Sequence, residues 1–179
     1  MQSKYTLPKT IELIKSANIS VIFGGNSKIC DIHSANIVSY YFQNYECFNA
    51  ENPSETINKV KKLLAQYALE HNSKLELLQI DLSKISQNYN SENLYKLLLE
   101  LNELSKLNNF KIIVNFTTEN DTLISNVYSN FTPEQQQQIL FLRLSNTKPI
   151  KLVVETGKHK GKSINYKVRT ELNFMEEID

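Results

Sequence analysis

Glycine, proline, cysteine and net charge are all scarce in these 179 residues, and each scarcity removes a class of protein. With four Gly and four Pro, long flexible linkers are not expected. The two cysteines, Cys30 and Cys47, have neither C-x-x-C nor metal-ligand spacing, so they read as reduced thiols of a cytoplasmic chain. A net charge of +1 supplies no global field to draw nucleic acid or a membrane surface. There is no run of about 18 apolar residues to span a membrane. The first eight residues lack the apolar core of a secretory signal. Nor is there a nucleophile–base pair, a metal cluster or a redox motif at usable spacing. What is present, 41% hydrophobic and 22% charged residues, suits one folded domain with a real core.

Hydrophobic periodicity alternates between buried strands and amphipathic helices. Helices are expected over Pro8–Ala17, Asp31–Phe42, Ser54 to about Glu70, and Asn93–Leu107. In the second of these, Asp31 and His33 would lie in the first turn, His33 solvated or capping. Ser54 would be the N-cap of the third, with Ile57, Val60, Leu63, Leu64, Tyr67 and Ala68 as its apolar stripe and Lys59, Lys61 and Lys62 facing water. Leu94, Leu97, Leu98, Leu101, Leu104 and Leu107 form one face of the fourth. Strands are expected over Ile19–Phe23, Tyr45–Ala50, Leu75–Asp81, Phe110–Phe116 and Ile139–Leu144. Between the last two, Thr132-Pro133-Glu134 opens a short helix. Lys151–Glu155 and Ser163–Val168 read as a hairpin around Gly157–Lys162. Residues 1–170 make a single domain, and 171–179 an acidic tail expected to fray. This order argues for a mostly parallel sheet with helices on both faces and an antiparallel hairpin at one edge.

One stretch has the grammar of a phosphate site. Ile19–Asp31 is a buried strand, a glycine turn and a helix, the arrangement in which backbone N–H groups hold phosphate at a helix N-terminus. A Walker A motif, G-x-x-x-x-G-K-[ST], counted from Gly24 puts Ile29, Cys30 and Asp31 at the second Gly, the Lys and the Ser/Thr. Gly24, Gly25, Lys28 and Asp31 remain the candidate nucleotide-binding residues, Lys28 as a displaced cation. Asp81, at the end of its strand, stands at a Walker B position, where an acid holds the water shell of Mg²⁺.

Together these segments resemble the RecA-like P-loop ATPase core, of the DnaB/RepA hexameric helicase type, over nearly the whole chain. The resemblance implies a three-layer RecA-like P-loop NTPase fold. It also implies that Glu51, at the end of the second strand, occupies the place of the residue that polarises the attacking water, and that Asp81 is the Walker B acid. Arg143 and the segment from Ile150 to Tyr166 are similar to the family's closing strands, whose basic residues reach a neighbour's nucleotide. The chain departs from the family at all three diagnostic Walker A positions. It also has Thr117, Thr118 and Glu119 in place of the polar sensor after the fourth strand.

Two functional readings follow. In the first, the chain is a non-catalytic RecA-like protein (a pseudo-ATPase) of DNA replication, recombination or a mobile element. It needs no cofactor, keeps Glu51 and Asp81 as relics, and acts through DNA, a homo-oligomer or an active ATPase partner. In the second, it binds or weakly hydrolyses ATP with Mg²⁺ through a non-standard loop. In both, Arg143, Lys158, His159, Lys160 and Lys162 are the candidate nucleic-acid or subunit contacts, the lysines by neutralising backbone phosphates.

Overall fold

The computed structural model of the chain describes residues 6–41, 44–50, 52–71, 74–82, 89–116 and 121–178. In chain order the elements are α1 (Pro8–Lys15), β1 (Ile19–Phe23), α2 (Ser27–Tyr41), β2 (Tyr45–Asn49), α3 (Pro53–His71), β3 (Leu77–Asp81) and α4 (Ser91–Asn108). There follow β4 (Lys111–Phe116), α5 (Asp121–Tyr128), α6 (Pro133–Gln138), β5 (Ile139–Leu144), β6 (Ile150–Val154), β7 (Ser163–Arg169) and β8 (Phe174–Ile178). One eight-stranded sheet runs β2-β3-β4-β1-β5-β6-β7-β8. The first five strands pair in parallel. The last three pair antiparallel.

The strand at the centre of the parallel part has no polar face, which is what burial on both sides requires. Every residue of β1 is buried. Ile19, Val21 and Phe23 join the core beneath α3, α4 and α5. Ile22 joins the opposite core, beneath α1 and α2. The expected three layers, with helices on both faces, are therefore those observed. In α4, Leu94, Leu97, Leu98 and Leu101 are buried, each worth roughly 1.5–3 kcal/mol. The stripe stops short of its expected end: Leu107 is 80% exposed. Ala68 of α3 is likewise exposed.

Several boundaries differ from the sequence reading. Asn52, not Ser54, caps α3: its Oδ1 accepts from the Glu55 N–H at 2.9 Å and from the Ser54 hydroxyl at 2.9 Å. α5, between the fourth and fifth strands, was not marked by periodicity; Ile124 and Val127 bury it against the sheet. The segment expected to fray is a 3-10 turn, Thr170–Leu172, followed by strand β8 paired along its length with β7. One of its acids, Glu177, has structural partners. Glu177 accepts the Lys9 N–H at 3.0 Å and the Thr10 N–H at 2.6 Å, so the C-terminal strand caps the first helix. Capping by a carboxylate satisfies open donors and opposes the positive helix end.

The same carboxylate ends a buried chain of hydrogen bonds. The Thr10 hydroxyl donates to Glu177 Oε1 at 2.7 Å, which leaves the Thr10 oxygen to accept from the Tyr166 hydroxyl at 2.7 Å. Tyr166 then accepts from His33 Nε2–H at 3.2 Å. The imidazole stands edge-on to the Tyr166 ring. His33 is fully buried, not solvated or capping as expected, and burial pushes its pKa down to about 4. Burial likewise raises the Tyr166 phenol above its ordinary range.

Candidate functional site

β1 delivers the chain to the C-terminal edge of the parallel strands, where open α/β sheets bind ligands. The turn that follows is three residues long. Gly24, Gly25 and Asn26 separate the last residue of β1 from Ser27, the first of α2. The helix starts four residues before the expected Asp31, so Ile29, Cys30 and Asp31 are helical, and Asp31 and His33 lie beyond its first turn. Ile29 and Cys30 are buried, while Lys28 and Asp31 are exposed on the outer side of α2.

The turn is closed from within. Gly24 and Gly25 both have positive φ, 79° and 73°. A Cβ on Gly24 would stand 2.9 Å from the Leu144 carbonyl oxygen, so close packing on the end of β5 already demands a glycine there. Asn146 Oδ1 accepts the Asn26 N–H at 2.7 Å. Asn26 Oδ1 accepts the Ile29 N–H at 2.9 Å, an Asn N-cap. The Cys30 thiol donates to the Gly24 carbonyl at 3.2 Å. Burial first, then the charges of Asp31 and Asp81, push this thiol up to about 11, which keeps it protonated. Side-chain amide oxygens of the chain itself therefore stand on backbone donors that a phosphate would need.

Next to this turn lies a polar cluster at the ends of β2, β3 and β4. Asp81 is level with Asn49 on one side and Asn115 on the other. The Asn115 amide donates to the Ser34 hydroxyl of α2 at 2.8 Å, in a buried bond. Asn115 Oδ1 is buried with no partner among the described residues. Asp81 occupies the strand end expected of it. Glu51 and Thr117–Glu119 lie outside the described residues. Sequence reasoning missed Asn26, Ser34, Asn115 and Asn146. Asn115 had a signal, as the one polar residue in the apolar run Ile112–Phe116. Asn146 had none, because its role depends on β5 ending beside the glycine turn.

The basic residues grouped in the sequence reading fall at opposite ends of the sheet. Arg143 is level with Phe23 at the C-terminal end of β5, beside the glycine turn. Its Nε donates to Glu155 Oε1 at 2.7 Å, and its guanidinium lies 4.8 Å from the centre of the Phe23 ring. The Gly157–Lys162 loop lies at the other end, where a Cβ on Gly157 would approach Leu140 and the Gln136 carbonyl. Lys158, Lys160 and Lys162 are exposed there and His159 is half-buried. The three lysines share one exposed loop, and Arg143 lies at the opposite end of β5 from it.

No protein-family model matches the chain, and no curated protein matches it. Among solved structures it is similar to the KaiC-like protein PH0186 from the hyperthermophilic archaeon Pyrococcus horikoshii OT3. The TM-score is 0.59, over 100% of this chain and 98% of that one, with 12% of residues identical. At that identity the likeness is one of fold alone. It bears out the expected RecA-like α/β fold, with a mostly parallel sheet and an antiparallel C-terminal hairpin. Among the described residues, no helix is long and apolar enough to cross a membrane.

Proposed function

We propose that this chain is a non-catalytic RecA-like protein that acts by binding other macromolecules, with DNA as the polyanion for the Lys158–Lys162 tip. The observation that carries this reading is the closed β1–α2 turn. A phosphate-cradling loop needs several open N–H groups and a cation at the helix start. In this turn the Asn26 and Ile29 N–H groups are bonded to Asn146 and Asn26, and the thiol of Cys30 stands where the motif has its Lys. The residues present do not fit a triphosphate with its Mg²⁺. The alternative, ATP binding through a non-standard loop, draws on Asp81 and on Asn115 Oδ1 beside the turn, which has no partner among the described residues.

Titration of Mg-ATP and Mg-ADP, read by thermal shift and calorimetry, separates the two readings. A ligand bound only by the folded state raises apparent stability, by about 2.7 kcal/mol at a hundred times its Kd. The expected result is no shift at millimolar nucleotide. A shift that Asp81→Ala abolishes would overturn the non-catalytic reading. For the polyanion contact, DNA affinity should fall with rising salt and drop in the Lys158/Lys160/Lys162→Ala variant. Affinity unchanged by that variant removes the tip from the interface.

A further inference from the structure

The two outer strands of the sheet differ in how their free sides are treated. β8 is covered: the Glu177 N–H donates to the Thr6 carbonyl at 2.8 Å, tying the strand to the segment before α1. Among the described residues, β2 is hydrogen-bonded on one side only, to β3. The direction of its backbone follows from its ends. The Asn44 carbonyl accepts from Glu76 and Leu77, and the Ala50 N–H donates to Asp81, so even-numbered residues turn their groups toward β3. By alternation, Tyr45, Cys47 and Asn49 turn theirs outward. Among the described residues, these outward groups meet one side chain, Lys59, whose Nζ lies 3.3 Å from the Asn49 carbonyl. The strand has no proline, and Glu46 is its one charged residue. Among the described residues, Glu46 and the Lys59 contact are the charged groups at this edge, and neither a proline nor a further strand blocks it.

We propose that β2 is a self-pairing interface: it joins β2 of a second copy of this chain, antiparallel and centred on Cys47. This register sets Cys47 opposite Cys47, Tyr45 opposite Asn49 and Glu46 opposite Phe48. All three outward-facing residues then fall in hydrogen-bonded pairs, giving about six N–H···O=C bonds. Charge complementarity favours a second copy over an unrelated strand. Glu46 and Phe48 share one face of β2, and the Lys59 ammonium already stands 5.0 Å from the centre of the Phe48 ring. Placing the partner's Glu46 across from Phe48 brings its carboxylate to Lys59, and symmetry makes this pair twice. The net charge of +1 adds little repulsion between copies.

The register places its own reporter. Opposed residues in such a pair have Cα atoms about 5.5 Å apart, inside the roughly 4.4–6.8 Å range that a disulfide accepts. Cys47 is exposed and Cys30 is buried, so one thiol per chain is available. Under diamide at alkaline pH, two Cys47 thiols give up two protons and two electrons to the diazene, which becomes the hydrazine as the S–S bond forms. A covalent dimer is expected from the full chain and not from Cys47→Ser. Sedimentation velocity on the reduced protein should show a concentration-dependent dimer. Glu46→Lys and Lys59→Glu should each weaken it about tenfold, and the double exchange should restore it. A monomer at every concentration, a dimer indifferent to both reversals, or no Cys47 cross-link would each overturn the proposal.

Discussion

Acid should unfold this protein earlier than its carboxylates alone dictate, because of His33. The hydrogen-bond chain fixes which nitrogen carries the proton. Glu177 can only accept, so Thr10 donates to it, Tyr166 donates to Thr10, and His33 donates through Nε2. Nδ1 is left as a buried lone pair with no partner among the described residues. A proton added there creates a buried cation whose new N–H has no acceptor, and burial accordingly lowers the pKa from 6.5 to about 4. Between those values the unfolded chain binds a proton that the folded chain does not, so stability rises with pH. Conversely, it is lost as pH falls through the window, at about 1.4 kcal/mol per unit at most. Between pH 7 and pH 5 the loss should be about 2 kcal/mol. The assay is urea denaturation followed by far-ultraviolet circular dichroism, on the full chain and on His33→Gln. The variant starts from lower stability, but its curve should be flatter over this window by that amount. Other titrating groups are common to both proteins and cancel. Equal slopes for the two proteins would refute the reasoning.

Two paired comparisons test the packing. Gly24→Ala should cost about 2 kcal/mol or more, from its positive φ and the Leu144 carbonyl 2.9 Å from the new Cβ. Gly161→Ala, with φ of 90° and nothing within 4 Å, should cost about half as much in the same urea titration. In α4, Leu98→Ala should cost roughly 2–5 kcal/mol and Leu107→Ala within about 0.5 kcal/mol, although both leucines lie on the same stripe in sequence.

The fold was legible because its signals are local and redundant. β1 and β5 carry apolar runs with sharp ends, and both were located to the residue. α4 needed only its leucine spacing. The misreadings involve partners distant in sequence. Nothing local to Phe174–Ile178 marks a strand; it becomes one because β7 offers an edge and the N-terminus of α1 offers donors to Glu177. His33 reads as polar, and its burial depends on Tyr166, 133 residues away. At the candidate site, Gly24 and Asp81 were visible, but the side chain that closes the turn, Asn146, comes from beyond β5.

The closed turn also bears on affinity. The string from Gly24 to Asp31 can be either a loop around phosphate or the first turns of a helix. Forming the loop from this sequence means unwinding α2 through Cys30. That withdraws Ile29 and Cys30 from the core beneath α1 and α2 and breaks the Asn26 cap. Exposing the isoleucine costs roughly 1.5–3 kcal/mol. Losing the cap costs about 1 kcal/mol, and exposing the cysteine adds a smaller amount. The sum, about 4 kcal/mol, would make the open form roughly one molecule in a thousand. A ligand selecting that form has its apparent affinity reduced by the same factor, so a micromolar site would bind at about millimolar. An Asn146→Ala variant frees the Asn26 N–H but leaves Ile29 and Cys30 in the core. It should therefore not by itself create nucleotide binding. Micromolar Mg-ATP binding by that variant in calorimetry would place the obstacle in the side-chain plug rather than in the early start of the helix.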